Sequence, residues 1–213
     1  MDAVNWLVHG KHGDEPECAC PIVAAYVIQG NDAMPDDIRQ RLLGYLHRIA
    51  GSRNADSENA RLRVLVLAAA RMFVPLALDA TGLTVKATKL RLLPDDTTFE
   101  DLEIATRAAR TAGAEEATWA AWPARTAGVE AATWAALAAR EAGAEAAKAA
   151  ARAATRAAAA AHAAGWLTGN WDAYFDVLDA VLNAGPQGEP WSADTVADGT
   201  ARFVEAGGLL EAV

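Results

Sequence analysis

The sequence predicts an all-α protein, and three observations carry that prediction. Apolar residues recur at helical spacing in separate stretches, and Pro and Gly punctuate those stretches where helices start and stop. Between Arg110 and Ala154, an alanine-rich unit of fifteen residues repeats. Its copies read RTAGAEEATWAAWPA from Arg110, RTAGVEAATWAALAA from Arg125 and REAGAEAAKAAARAA from Arg140, and the pattern then decays into nearly pure alanine up to Gly165. The expected architecture is an N-terminal helical bundle over 1–97 and a long alanine-rich helix over 98–164, with Pro123 as the place for a kink. A C-terminal helical segment over 165–213 packs back and forms one compact unit with the bundle.

Pro21 to Gln29 is a short apolar helix that starts at a proline and ends at Gly30, followed by a turn over Asn31 to Met34. A second helix starts at Pro35, with Asp36 and Asp37 at the positive end of its dipole. Ile38, Leu42, Leu43, Leu46 and Ile49 form its buried stripe, and it stops around Gly51-Ser52. A polar loop, Arg53 to Asp56, leads to Ser57 as the N-cap of a helix whose stripe is Leu62, Leu65, Val66, Ala69, Phe73 and Leu76. Pro75 kinks this helix rather than ending it, and Gly82 closes it. Thr84 to Leu93 is a weaker helix stopped by Pro94, and its Val, Thr and Leu content also permits a strand. Thr97 or Thr98 caps the next helix, with Glu100, Asp101 and Glu103 in the opening turn.

From there the repeat takes over, and it can be read in two ways. Gly113, Gly128 and Gly143 could end three short helices, since arginine precedes and acid follows each one. Each glycine, however, is followed at once by Ala or Val, with no room for a turn between antiparallel helices. A continuous helix is therefore expected, each glycine costing about 1 kcal/mol relative to alanine. Fifteen residues make four turns plus about 60°, so successive copies precess around the helix. Trp119, Trp122, Val129 and Leu137 fall on one side as a bulky stripe, while Glu141, Glu145, Lys148, Arg152 and Arg156 share a face further on. The alanine surface buries too little to stand alone and needs a helix against it.

The C-terminal stretch is the expected partner. Gly165 to Asn170 reads as a turn, then Trp171, Tyr174, Phe175, Leu178 and Leu182 face one way and Asp172, Asp176 and Asp179 the other. Gly185-Pro186 ends that helix, and Pro190 and Ser192 introduce a last one through Phe203.

Composition narrows the function classes. The 213 residues can bury a real core, although alanine inflates the 53% hydrophobic content. A net charge of −9 argues against an electrostatic grip on nucleic acid. The acids are spread among arginines, which also argues against a mimic of DNA. No apolar run reaches the ~20 residues that span a bilayer, and MDAVNWLVHGKHGDE has neither the basic nor the apolar region of a signal peptide. Cys18 and Cys20 are too close for a disulfide closing a long loop, so a cytoplasmic location is expected.

Few residues suggest chemistry. His9, His12, Cys18 and Cys20 are the right types for zinc, but a single residue between the cysteines is tighter than usual. Two small residues leading into a helix is the preferred reading, and no metal or cofactor is expected. Asp172, Asp176 and Asp179 read as a solvated face. His162 reads as a histidine near a helix C-terminus. No phosphate-binding loop, nucleophile elbow, metalloprotease motif or dinucleotide fingerprint occurs. Candidate binding residues are therefore Trp119, Trp122 and Trp134, the repeat arginines Arg110, Arg125 and Arg140, and Asp32 with Arg39 near the second helix.

Three segments together carry a resemblance. GDEPECACPIVAAYVIQGNDAMPDDIRQRLLGYLHRIAGSR, ARLRVLVLAAARMFVPLALDATGL, and the Ala/Trp/Arg tract with its closing WDAYFDVLDAVL resemble an uncharacterised family of Ala/Trp-repeat helical proteins from actinobacteria and their bacteriophages. The resemblance covers about Gly13 to Leu182. It departs at Glu15, where relatives tend to have histidine, and at Cys20, where they tend to have serine. It brings no reaction, cofactor or catalytic residue, and it implies a phage-encoded accessory protein.

The expected function is a non-enzymatic binding protein in the host cytoplasm that binds, blocks or sequesters a host component. The alternative is a protein that binds or hydrolyses a small anionic, nucleotide-like ligand through Arg39, Arg41 or the repeat arginines. Self-association through the alanine-rich helix, giving a homo-oligomer, is the third option.

Overall fold

A computed structural model describes residues 17–80, 82–116 and 171–186, with single helical positions at 135, 149, 153, 198 and 201. Among the described residues every regular element is helical, and the protein is all-α.

Helix α1 (Pro21–Ala33) begins with proline in its first turn, where the missing N–H loses nothing. It does not stop at Gly30 as the sequence suggests. It ends where Met34 turns extended (φ −79°, ψ 142°), because the residue before a proline is driven out of the helical region. Gly30 lies inside α1 for a packing reason: a Cβ built there would fall 2.5 Å from Cε2 of Tyr174 and closer still to Cζ and Oη.

Helix α2 (Asp36–Arg39) opens at Pro35 with both aspartates in its first turn, as predicted. The chain then tightens into a 3-10 stretch, Gln40–Tyr45, before α3 (Leu46–Ala50). With three residues per turn rather than 3.6, the predicted stripe no longer stays on one side. Leu42 and Ile49 are buried, while Ile38, Leu43 and Leu46 are only half-buried.

A 3-10 turn, Ala55–Ser57, leads into α4 (Glu58–Ala68). Ser57 holds the N-cap position of α4, but its hydroxyl donates to the Pro186 carbonyl and ties this corner to a distant part of the chain. The predicted disturbance at Pro75 is present one turn early. Ala69–Phe73 widens into a π turn, with Val74 N–H bonding to Ala69 O, and α5 (Val74–Ala80) continues the rod. The wider turn accommodates a proline that can neither donate nor fit against the preceding turn. Gly82, at φ +81°, then closes α5. Its N–H bonds Asp79 O and Leu83 N–H bonds Leu78 O, both at 2.9 Å, which together satisfy the last carbonyls of the helix.

Thr84–Arg91 is helix α6, not a strand. Thr98 caps α7 (Phe99–Glu116): its Oγ1 accepts from Asp101 N–H at 3.1 Å and its hydroxyl donates to Asp101 Oδ2 at 2.7 Å. Gly113 lies within α7, so the first repeat glycine does not end a helix. Gly128, Gly143, Pro123 and the last predicted helix from Pro190 lie outside the described residues, apart from the single helical positions.

Helix α8 (Asp172–Asn183) packs against α1 and α4, which also touch each other. Helices α5, α6 and α7 form a second set of mutual contacts, joined to the first through the continuous α4–α5 rod. Tyr174, Phe175, Val177, Leu178, Val181 and Leu182 of α8 are all buried, a wider arc than the stripe predicted. Each such side chain contributes about 1.5–3 kcal/mol by leaving water. Apolar burial therefore fixes α8 in place.

Candidate functional site

A set of polar side chains lines the seam between the Asp36–Ala50 segment and α8. Arg41 pairs with Asp172 at 2.8 Å and sets its guanidinium 4.1 Å from the centre of the Phe175 ring. Arg48 pairs with Asp179 and donates to Asn183 Oδ1 at 3.0 Å, and Tyr45 donates to the other Asp179 oxygen at 2.9 Å. The hydrogen bond from Arg48 holds the Asp179 carboxyl below the usual carboxylate range. Burial, together with Asp179, pushes the Tyr45 phenol up. These partly exposed pairs are worth at most about 1 kcal/mol each, so they set how α8 lies rather than whether it binds. Asp172 and Asp179 are thus tied to arginines instead of forming a plain solvated face, while Asp176 is exposed.

Deeper in the core, Tyr26 and Tyr174 stack with ring centres 4.4 Å apart and planes 8° from parallel. Each hydroxyl donates to the other residue's backbone carbonyl at 3.2 Å. Burial raises both phenols above their ordinary range. The pair satisfies all its polar atoms internally, and Gly30 clears the space for it.

The predicted binding residues separate into two groups. Trp119, Trp122, Trp134, Arg125 and Arg140 lie outside the described residues, as do His9 and His12. Arg110 is on α7, within the described backbone. Asp32 is exposed near the end of α1. Arg39 is engaged by its surroundings: Nε donates to Asn31 O at 3.1 Å, Nη2 to Met34 O at 3.0 Å, and Nη1 pairs with Asp36 at 3.1 Å. These bonds close the end of α1. Cys18 is half-buried and Cys20 fully buried where the chain enters α1, and burial pushes the Cys18 thiol up, away from the thiolate that metals and electrophiles prefer. Among the described residues no group of three or more His, Cys, Asp or Glu could hold a metal ion.

One residue escaped the sequence reading. Arg61 on α4 is 0% exposed, its Nη1 donating to the Ser52 carbonyl. The signal was present: Arg61 lies four residues before Leu65 and eight before Ala69, on the apolar side of the helix, where charge is not expected.

No protein-family model matches this chain, and neither does any curated protein or solved structure. The fold and its seam define a class, an all-α helical protein. No helix among the described residues is long and apolar enough to cross a membrane.

Proposed function

We propose that the protein is a non-enzymatic binding protein that docks a protein partner on its helical surface, as a phage-type accessory protein acting on a host component. The observation that carries this reading is apolar exposure on α6. Val85 in the first turn of α6 and Leu92, the C-cap residue just past Arg91, are 70% and 75% exposed, and Ile104 on the adjoining α7 is 57% exposed. Scattered exposed aliphatics are ordinary, but large ones exposed on two adjoining elements form the kind of anchor that docking partners use. The use of Arg39, Arg41, Arg48, Asp172 and Asp179 to hold helices together also supports a binding role over catalysis.

A photo-crosslinking residue placed at 92 in the full chain, expressed in an actinobacterial host, tests the reading. One discrete adduct is expected, absent when the probe sits at the exposed Arg53 and lost when Val85 is changed to Asp. The same adducts from both positions would sink the proposal. Substituting Trp119 and Trp122 by Ala in this assay measures the share of the repeat.

A further inference from the structure

The guanidinium of Arg61 is the group the fold leaves least explained. It is fully buried, and Nη1 alone is bonded, to Ser52 O. Nε and Nη2 have no hydrogen-bond partner among the described residues. Those two N–H groups form one edge of the planar head, the edge that meets both oxygens of a carboxylate or phosphate side by side. At Arg39 and Arg63 the same edge is filled. Arg39 spends it on Asn31 O and Met34 O, and Arg63 turns both nitrogens onto Asp95 O.

The electrostatics sharpen the point. Arginine cannot shed its proton to escape burial, and no ion pair joins Arg61 to an acid among the described residues. A buried charge without a counter-charge is strongly destabilising. Ser52, which receives Arg61, also accepts from Cys20 N–H through its Oγ at 2.9 Å. Cys20 is the N-cap of the thirteen-residue helix α1, whose N-terminus has no side-chain cap and whose first-turn residues Ile22 and Val23 are 0% exposed. A helix N-terminus carries partial positive charge and unpaired N–H donors. Two positive features thus converge on Ser52, with a single carbonyl set against the guanidinium.

We propose that Arg61, Ser52 and the N-terminus of α1 form an internal binding site for a small oxyanion of the phosphate or carboxylate class, held side-on by Nε and Nη2 of Arg61. This goes beyond docking a partner: the anion is a structural ligand that neutralises the core charge, and stability is linked to its concentration.

The test uses the full chain, prepared in chloride and free of phosphate, with thermal unfolding followed as inorganic phosphate or acetate replaces chloride at constant ionic strength. Wild type is expected to gain Tm with the logarithm of anion concentration once the site begins to fill. Arg61→Met should lose that dependence, and Arg61→Lys should keep a weaker one because an ammonium lacks the two-pronged edge. Excluded-solute effects of phosphate act on all variants alike and cancel in the comparison. Equal slopes in wild type and Arg61→Met would overturn the site. Should Arg61→Met fail to fold, the Arg61 Nε–H resonance of the intact protein decides. It must shift on addition of phosphate while those of Arg39 and Arg63 stay in place, and an Arg61 signal that does not move refutes the proposal.

Discussion

Replacing Gly30 by Ala adds one methyl group where the fold has no space for it. The new Cβ would lie 2.5 Å from Tyr174 Cε2, with Cζ and Oη nearer still. The ring cannot swing away cheaply: Tyr174 is fully buried, stacks on Tyr26 at 4.4 Å and donates to Tyr26 O at 3.2 Å. Forcing it aside should cost about 1–3 kcal/mol in overpacking, with about 1 kcal/mol more for each buried hydrogen bond that breaks. Lost stacking adds about 0.5–1.5 kcal/mol. Against this, alanine in a helix interior gains about 1 kcal/mol over glycine. A net loss of about 2–4 kcal/mol follows, read from the denaturant midpoint at unchanged slope. Gly44→Ala is the control, because nothing lies within 4 Å of a Cβ there, and it should be neutral or slightly stabilising. Tyr174→Phe in the Gly30→Ala background should recover part of the loss by removing the nearest atom. A Gly30→Ala variant as stable as wild type would refute the reasoning that Gly30 is a slot for the ring.

Two titrations test the polar contacts. The chain has three tyrosines. Followed by ultraviolet absorbance, Tyr45 should ionise somewhat late, while Tyr26 and Tyr174 ionise only as the protein unfolds in alkali, giving a cooperative step. Raised folded-state values mean that this contribution to stability is full below the unfolded tyrosine range and lost as pH rises; three gradual ionisations without unfolding would contradict the buried pair. For Asp179 the sign is opposite. Its lowered value contributes stability that is present above the unfolded carboxylate range and lost as pH falls through the folded value. Asp179→Asn should therefore be less stable than wild type at neutral pH, with the gap closing in acid. A gap that does not change with pH would show that the pairing with Arg48 contributes nothing.

Much of the fold was legible because its signals are local. The capping Thr98, the closing Gly82 and the acid pair after Pro35 act within a few residues of themselves, and each appears where expected. Gly30 was misread because the same residue that ends helices also makes room for a neighbour, and that neighbour, Tyr174, is far along the chain. The stripe from Ile38 to Ile49 was blurred by a 3-10 stretch that no residue pattern announced. Asp172 and Asp179 looked like solvated acids until packing brought Arg41 and Arg48 beside them. As for the candidate site, Arg39 was offered as a binding residue, and packing puts its guanidinium on the carbonyls of Asn31 and Met34, where it closes the turn after α1.

By itself the sequence determined the all-α class, the order of the described helices and most of their ends, because helical periodicity and capping depend on contacts a turn or two away. Only the tertiary structure decided that α8 lies against α1 and α4, that two tyrosines lock face to face over a glycine, and that Arg61 is sealed in the core with its fork unpaired among the described residues. Those outcomes turn on which distant surfaces meet, and a buried charge gains its meaning from what surrounds it in space rather than along the chain.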